Sequence, residues 1–71
     1  MTRKQALAAI RAAGMSGRYS PDSGEWRVTY PASELPSAER REAVAVYCSD
    51  NQEAADNAAA MRRHAEQHGV K

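Results

Sequence analysis

Gly17-Arg18-Tyr19-Ser20-Pro21-Asp22-Ser23-Gly24-Glu25-Trp26-Arg27-Val28-Thr29-Tyr30 contains a complete hairpin, and its reading decides the fold. Pro21 presets φ, Asp22 and Ser23 favour a turn, and Gly24 accepts a positive φ. On the return strand, Glu25 to Tyr30, the bulky residues Trp26, Val28 and Tyr30 alternate with Arg27 and Thr29. That period of two marks a half-buried strand, with the aromatic set on the core side and Arg27 and Thr29 on the other. Gly17 to Ser20 is the outgoing strand, and Pro31 ends the return strand.

Upstream lies a helix with matched start and stop signals. Thr2 followed by Gln5 is a capping box, in which each side chain satisfies an orphan backbone N–H. Residues 3 to 13 are strong helix formers with Leu7 and Ile10 on one face. Gly14 stops the helix in a left-handed conformation, and Met15 sits where a Schellman cap packs a hydrophobe back on Ile10.

Downstream, Pro31 to Glu42 reads as a loop with one helical turn starting at Ser37. Ala43 to Cys48 then reads as a third strand, with Val44, Val46 and Cys48 on one side and Ala43, Ala45 and Tyr47 on the other. Asp50 followed by Glu53 opens a second long helix, since both carboxylates suit the positive end of its dipole. Ala54, Ala58, Met61 and Ala65 give that helix a small-residue face. Arg62, Arg63, His64 and His68 crowd its C-terminal half, and Gly69-Val70 repeats the cap logic of Gly14-Met15 with Ala65 as the residue to meet. The expected architecture is α+β: one two-layer domain over residues 1–71 in α-β-β-β-α order. It has a three-stranded antiparallel sheet and both helices on one face.

Seventy-one residues allow one core, and this one is thin. There is no Phe, and alanine supplies half of the 42% hydrophobic fraction. Apolar area contributes only about 25 cal/mol per Å², so a second copy or a partner is an expected source of stability. The formal net charge of +1 hides a basic start, an acidic middle and a basic end. The start carries Arg3, Lys4, Arg11, Arg18 and Arg27 against Asp22 and Glu25. The middle carries Glu34, Glu39, Glu42, Asp50, Glu53 and Asp56 against Arg40 and Arg41. The tail carries Arg62, Arg63 and Lys71 against Glu66. Such segregation argues against a uniformly basic nucleic-acid binder. Cys48 is alone, which excludes an intramolecular disulfide and fits a reducing compartment. With no apolar run of membrane-spanning length and no signal-like start, a cytoplasmic protein is expected.

Few arrangements here carry chemistry. His64 and His68 stand one helical turn apart, but two ligands do not make a metal site, and neither a Glu nor a third His completes one. Cys48 precedes a helix start, where a thiolate is favoured, but no histidine is placed to act as its base, so a small buried hydrophobe is the expected role. There is no glycine-rich phosphate loop and no Gly-x-Ser-x-Gly. The expectation is a binding protein and not an enzyme, with no cofactor and no metal. The contact candidates are Asp50, Glu53 and Asp56 at the acidic helix start, together with Tyr47, Arg27 and Arg18 on a sheet face left open.

Two resemblances bear on function. The α-β-β-β-α order resembles that of double-stranded RNA-binding domains, which place lysines at the start of the second helix against phosphates. Here that start reads Ser49-Asp50-Asn51-Gln52-Glu53, whose charges repel phosphate, so the likeness is one of topology alone. The opening Met-Thr-Arg-Lys-Gln-Ala-Leu-Ala-Ala-Ile-Arg-Ala-Ala-Gly resembles the start of small accessory proteins of bacterial phages and plasmids. Gly24-Glu25-Trp26-Arg27-Val28, and Tyr47-Cys48-Ser49-Asp50 before an alanine-rich helix, extend the likeness over most of the chain. That resemblance implies a mobile-element protein that docks on a host protein or ribonucleoprotein complex, as anti-CRISPR inhibitors do. In that reading the acidic helix start enters a basic nucleic-acid groove of the partner. The alternative is a small nucleic-acid-binding or regulatory protein that uses the basic N-terminal residues. A self-associating module, such as a homodimer, is the third.

Overall fold

The computed structural model describes residues 1–70, so Lys71, counted above in the basic tail, lies outside the described residues. In chain order the elements are α1 (Arg3–Ala12), β1 (Ser16–Ser20), β2 (Glu25–Thr29), α2 (Ala38–Ala43), β3 (Val46–Cys48) and α3 (Asn51–His68). The three strands form one antiparallel sheet in the order β1-β2-β3, with β2 in the centre. α1 and α3 pack on each other and on one face of the sheet, so the α+β, two-layer expectation holds.

Local chemistry sets the boundaries. Thr2 Oγ1 accepts from Gln5 N at 3.1 Å while Thr2 N donates to Gln5 Oε1 at 2.9 Å, completing the capping box. At the other end, Gly14 adopts φ 77°. Gly14 N donates to Arg11 O and Met15 N to Ile10 O, the two bonds of a Schellman motif. The hairpin pairs Ser20 with Glu25 across a turn in which Gly24, at φ 66°, donates to Ser20 O at 2.8 Å.

The core lies between the sheet and the long helices. Trp26, Val28 and Tyr30 rise from the β2 segment to meet Ala6 and Ile10 of α1 and Ala54, Ala58 and Met61 of α3, with Met15, Leu35 and Cys48 closing the margins. The alanines let α3 lie close to the sheet. Two buried polar groups anchor it: Trp26 Nε1 donates to Asn51 Oδ1 at 2.9 Å, and Tyr30 Oη donates to Met61 O at 3.0 Å. No buried side-chain nitrogen or oxygen among the described residues lacks a partner.

Three sequence expectations need correcting. The helical turn at Ser37 extends into a six-residue helix, because Ser37 Oγ accepts from Arg40 N and the ladder continues until Val44 N meets Arg40 O. Ala43 is therefore helical, and the third strand shrinks from Ala43–Cys48 to Val46–Cys48. The alternation of Val44, Val46 and Cys48 was real, but the backbone of residues 44 and 45 closes α2 and does not pair with β2. Gly69 does end α3, yet with φ 80° and ψ 167° it is extended beyond the left-handed cap geometry. Val70 packs at the margin of the core and lines a shallow recess with Arg40, Ala43 and Val44.

Candidate binding surface

The strand register gathers three sequence candidates into one row. Arg18 of β1 stands opposite Arg27 of β2, and Arg27 stands opposite Tyr47 of β3. All three have the parity opposite to Trp26 and Val28, so they lie on the sheet face away from α1 and α3; Thr29, expected beside them, is instead buried at 3% exposure. Arg18 is exposed, Tyr47 is 49% exposed and Arg27 is half-buried.

Sequence reasoning missed the group that organises this row. Glu42, near the end of α2, reaches the sheet. Its Oε1 accepts from Arg27 Nε at 2.9 Å and Nη2 at 2.6 Å, and its Oε2 accepts from Tyr47 Oη. Two arginines directly opposite one another repel, and Glu42 offsets that repulsion on the Arg27 side only. Arg18 has no ion-pair partner among the described residues. The hydrogen bond from Tyr47, followed by that from Arg27, holds the Glu42 carboxyl below its ordinary pKa. Glu42 in turn raises the Tyr47 phenol, which stays protonated and remains a donor. The clamp also raises the Arg27 guanidinium, so its charge is permanent.

A second clamp joins elements far apart in sequence. Arg62, in the C-terminal half of α3, does more than add charge to that helix end. Its Nε donates to Ala13 O at 2.8 Å and its Nη2 to Gly14 O at 3.2 Å, which satisfies carbonyls at the end of α1. Nη1 and Nη2 also form a two-pronged bridge to Glu34 at 2.9 and 2.7 Å. Arg62 thereby lowers the Glu34 pKa.

These two depressed carboxylates fix the sign of the acid response. Each contributes stability above its ordinary pKa of 4.5, and loses it as pH falls through the lower folded value. Thermal melts between pH 7 and the acid limit should show a melting temperature that begins to fall below pH 4.5. Glu34→Gln and Glu42→Gln should each flatten the fall. Because both pairs are exposed to water, the slope per residue should be shallow. Parallel curves for wild type and both variants would contradict this assignment.

The acidic candidates occupy a different place. Asp50 caps α3 by accepting from Glu53 N at 2.9 Å, Glu53 lies in the first turn, and Asp56 Oδ1 accepts from Gln52 Nε2 at 3.0 Å. All three are exposed on α3 and its cap, outside the Arg18–Arg27–Tyr47 row. The six candidates therefore form two surfaces. The basic start is divided as well: Arg3, Lys4 and Arg11 belong to the α1 side, where the Arg3 guanidinium lies 4.6 Å from the Tyr19 ring centre, while Arg18 and Arg27 belong to the open sheet face.

The remaining candidates resolve simply. Cys48 is buried, and its thiol is pushed up by burial above all, with Glu53, Asp50 and Glu25 adding to the effect. A hydrogen bond with Asn57 acts in the opposite direction without reversing the shift. The rings of His64 and His68 lie 4.8 Å apart, and no third ligand-type residue joins them among the described residues. A groove of about 440 Å³ runs between α3 and the α2–β3 segment, lined by Tyr30, Val44, Val46 and Met61 together with Asn57, Ala60 and His64. No helix among the described residues is long and apolar enough to cross a membrane. Compared with known proteins, the chain matches no family model, no curated protein and no solved structure.

Proposed function

We propose that this chain is a non-catalytic binding module that docks on a host protein or ribonucleoprotein complex through the open face of its sheet. The observation that carries the reading is the cross-strand row Arg18–Arg27–Tyr47 on the face that both long helices leave bare. Arginine and tyrosine are the residue types enriched at the energetic centres of interfaces. Here they stand on strands, and Glu42 holds two of them in fixed orientation, which lowers the entropy lost on binding. The finer form of the proposal is a mobile-element inhibitor acting on a CRISPR effector complex in the cytoplasm. It rests on the resemblance of the sequence to phage and plasmid accessory proteins. The division of the basic start between two faces favours a protein-docking role over a nucleic-acid-binding one, because no single face collects enough cations to follow a phosphate backbone.

Pull-down of the tagged protein with a purified CRISPR effector complex, at low and at moderate salt, tests this form. The expected result is retention at both, weaker at moderate salt. Gel shifts with duplex DNA, duplex RNA and single strands at the same protein concentration should show no salt-sensitive band. No retention at either salt overturns the effector reading, and a salt-sensitive shift would replace it with the nucleic-acid one.

A further inference from the structure

The structure points to self-association, and we propose that two copies pair as an antiparallel two-fold dimer through the solvent face of α3, the layer opposite the Arg18–Arg27–Tyr47 row. α3 buries Ala54, Ala55, Ala58 and Met61. At 3.6 residues per turn, its opposite face carries Glu53, Asp56, Ala60, Arg63, His64 and Gln67, all exposed. The acids Glu53 and Asp56 occupy the first half of this face and the cation Arg63 the second. The two ion pairs of the described residues are Arg27–Glu42 and Arg62–Glu34, so among the described residues Glu53, Asp56 and Arg63 form no ion pair. Asp56 accepts only from the neutral Gln52 amide.

An antiparallel axis through Ala60 resolves both halves at once. It sets Glu53 and Asp56 of each copy against the C-terminal half of its partner's α3, where Arg63 and His64 stand, twice over by symmetry. Alanine at the crossing point lets two helix backbones approach closely. Ala60 and His64 are also the α3 wall of the apolar groove floored by Tyr30 and Met61, so the second helix would cover that groove too. Glu53 to Gln67 spans about 21 Å of helix. A pairing at the low end of stable interfaces needs roughly 600 Å² from each copy, a small share of the 4565 Å² surface of the protein. Dimerisation here leaves both open sheet faces free, so the inference stands independently of the proposed function.

Sedimentation equilibrium from about 1 μM to about 500 μM at low salt reads the outcome. Wild type should pass from monomer to dimer across this range, and added salt should weaken the association. Asp56→Lys and Arg63→Glu should each move the midpoint roughly tenfold or more towards monomer. The double variant D56K/R63E, which exchanges the signs, should restore most of the association. Both positions are exposed, and unchanged circular dichroism melts would confirm that the variants fold. A wild type that stays monomeric throughout overturns the proposal, as do single variants that associate like wild type or a double variant that fails to recover. Ala60→Arg should abolish pairing without touching the core, and a dimer that survives it would place the interface elsewhere.

Discussion

Alanine in place of Trp26 is expected to remove about half of the folding free energy of the protein. Trp26 is 2% exposed and lies on the central strand, with Tyr19 and Cys48 as its cross-strand neighbours. Its ring meets Tyr19 edge-on at 5.5 Å, and its Nε1 ties the sheet to the first residue of α3 through Asn51. Asn51 in turn holds the start of the chain, because its Nδ2 donates to Met1 O at 3.0 Å. Removing a buried aromatic ring of this kind costs about 3–5 kcal/mol. A chain of 71 residues has only about 4–10 kcal/mol in total. Trp26→Phe keeps the ring contact but orphans the Asn51 carbonyl, and should cost less. Urea denaturation followed by circular dichroism separates the two; a Trp26→Ala protein within about 1 kcal/mol of wild type would contradict this account of the core.

The second large effect is at Ile10, which is fully buried at the meeting of α1 and β1. Ile10→Ala should cost about 2–5 kcal/mol through lost burial and the cavity left behind. Its neighbour across the gap is Gly17, where an added Cβ would come within 2.8 Å of Ile10 Cδ1 and 3.0 Å of Cγ2. Glycine is needed there for space, since its φ is unexceptional. Gly17→Ala alone should therefore destabilise by about 1–3 kcal/mol through overpacking. Combined with Ile10→Ala, the new methyl enters the vacated volume. The double variant should lose at least about 1 kcal/mol less than the sum of the singles. Simple additivity would show that the two side chains do not share one space.

These two residues also mark what could be read from the chain directly. Capping, turn chemistry and alternation act within a few residues, so the ends of α1, the Pro21–Gly24 turn and the burial of Trp26 and Val28 were all accessible. Val44 shows the limit: its spacing to Val46 and Cys48 suits a strand, but the hydrogen bond from its own N–H to Arg40 O decides for helix. The candidate surface was half legible. Parity placed Arg18, Arg27 and Tyr47 on one face, whereas the register that makes them a single row is a property of the folded sheet.

Glu42 was hidden in a run of charges, with nothing local to distinguish it from Glu39. Arg62 was hidden in a different way. The orphan carbonyls at the end of α1 signal that a cation is wanted, but the one that answers comes from 48 or 49 residues downstream. Asn51 likewise read as an ordinary first-turn residue, and only the packing of α3 on β2 brings it to Trp26.

The most direct test of the central claim, that the open sheet face is a docking surface, is a binding titration on immobilised CRISPR effector complex. It compares wild type with Arg18→Glu/Tyr47→Ala and with Asp56→Lys. Loss of roughly tenfold or more in affinity for the first variant, with a wild-type melting curve and near-normal binding by the second, is the result this account predicts. A sheet-face variant that binds as tightly as wild type, or a wild type that does not bind at all, would contradict it.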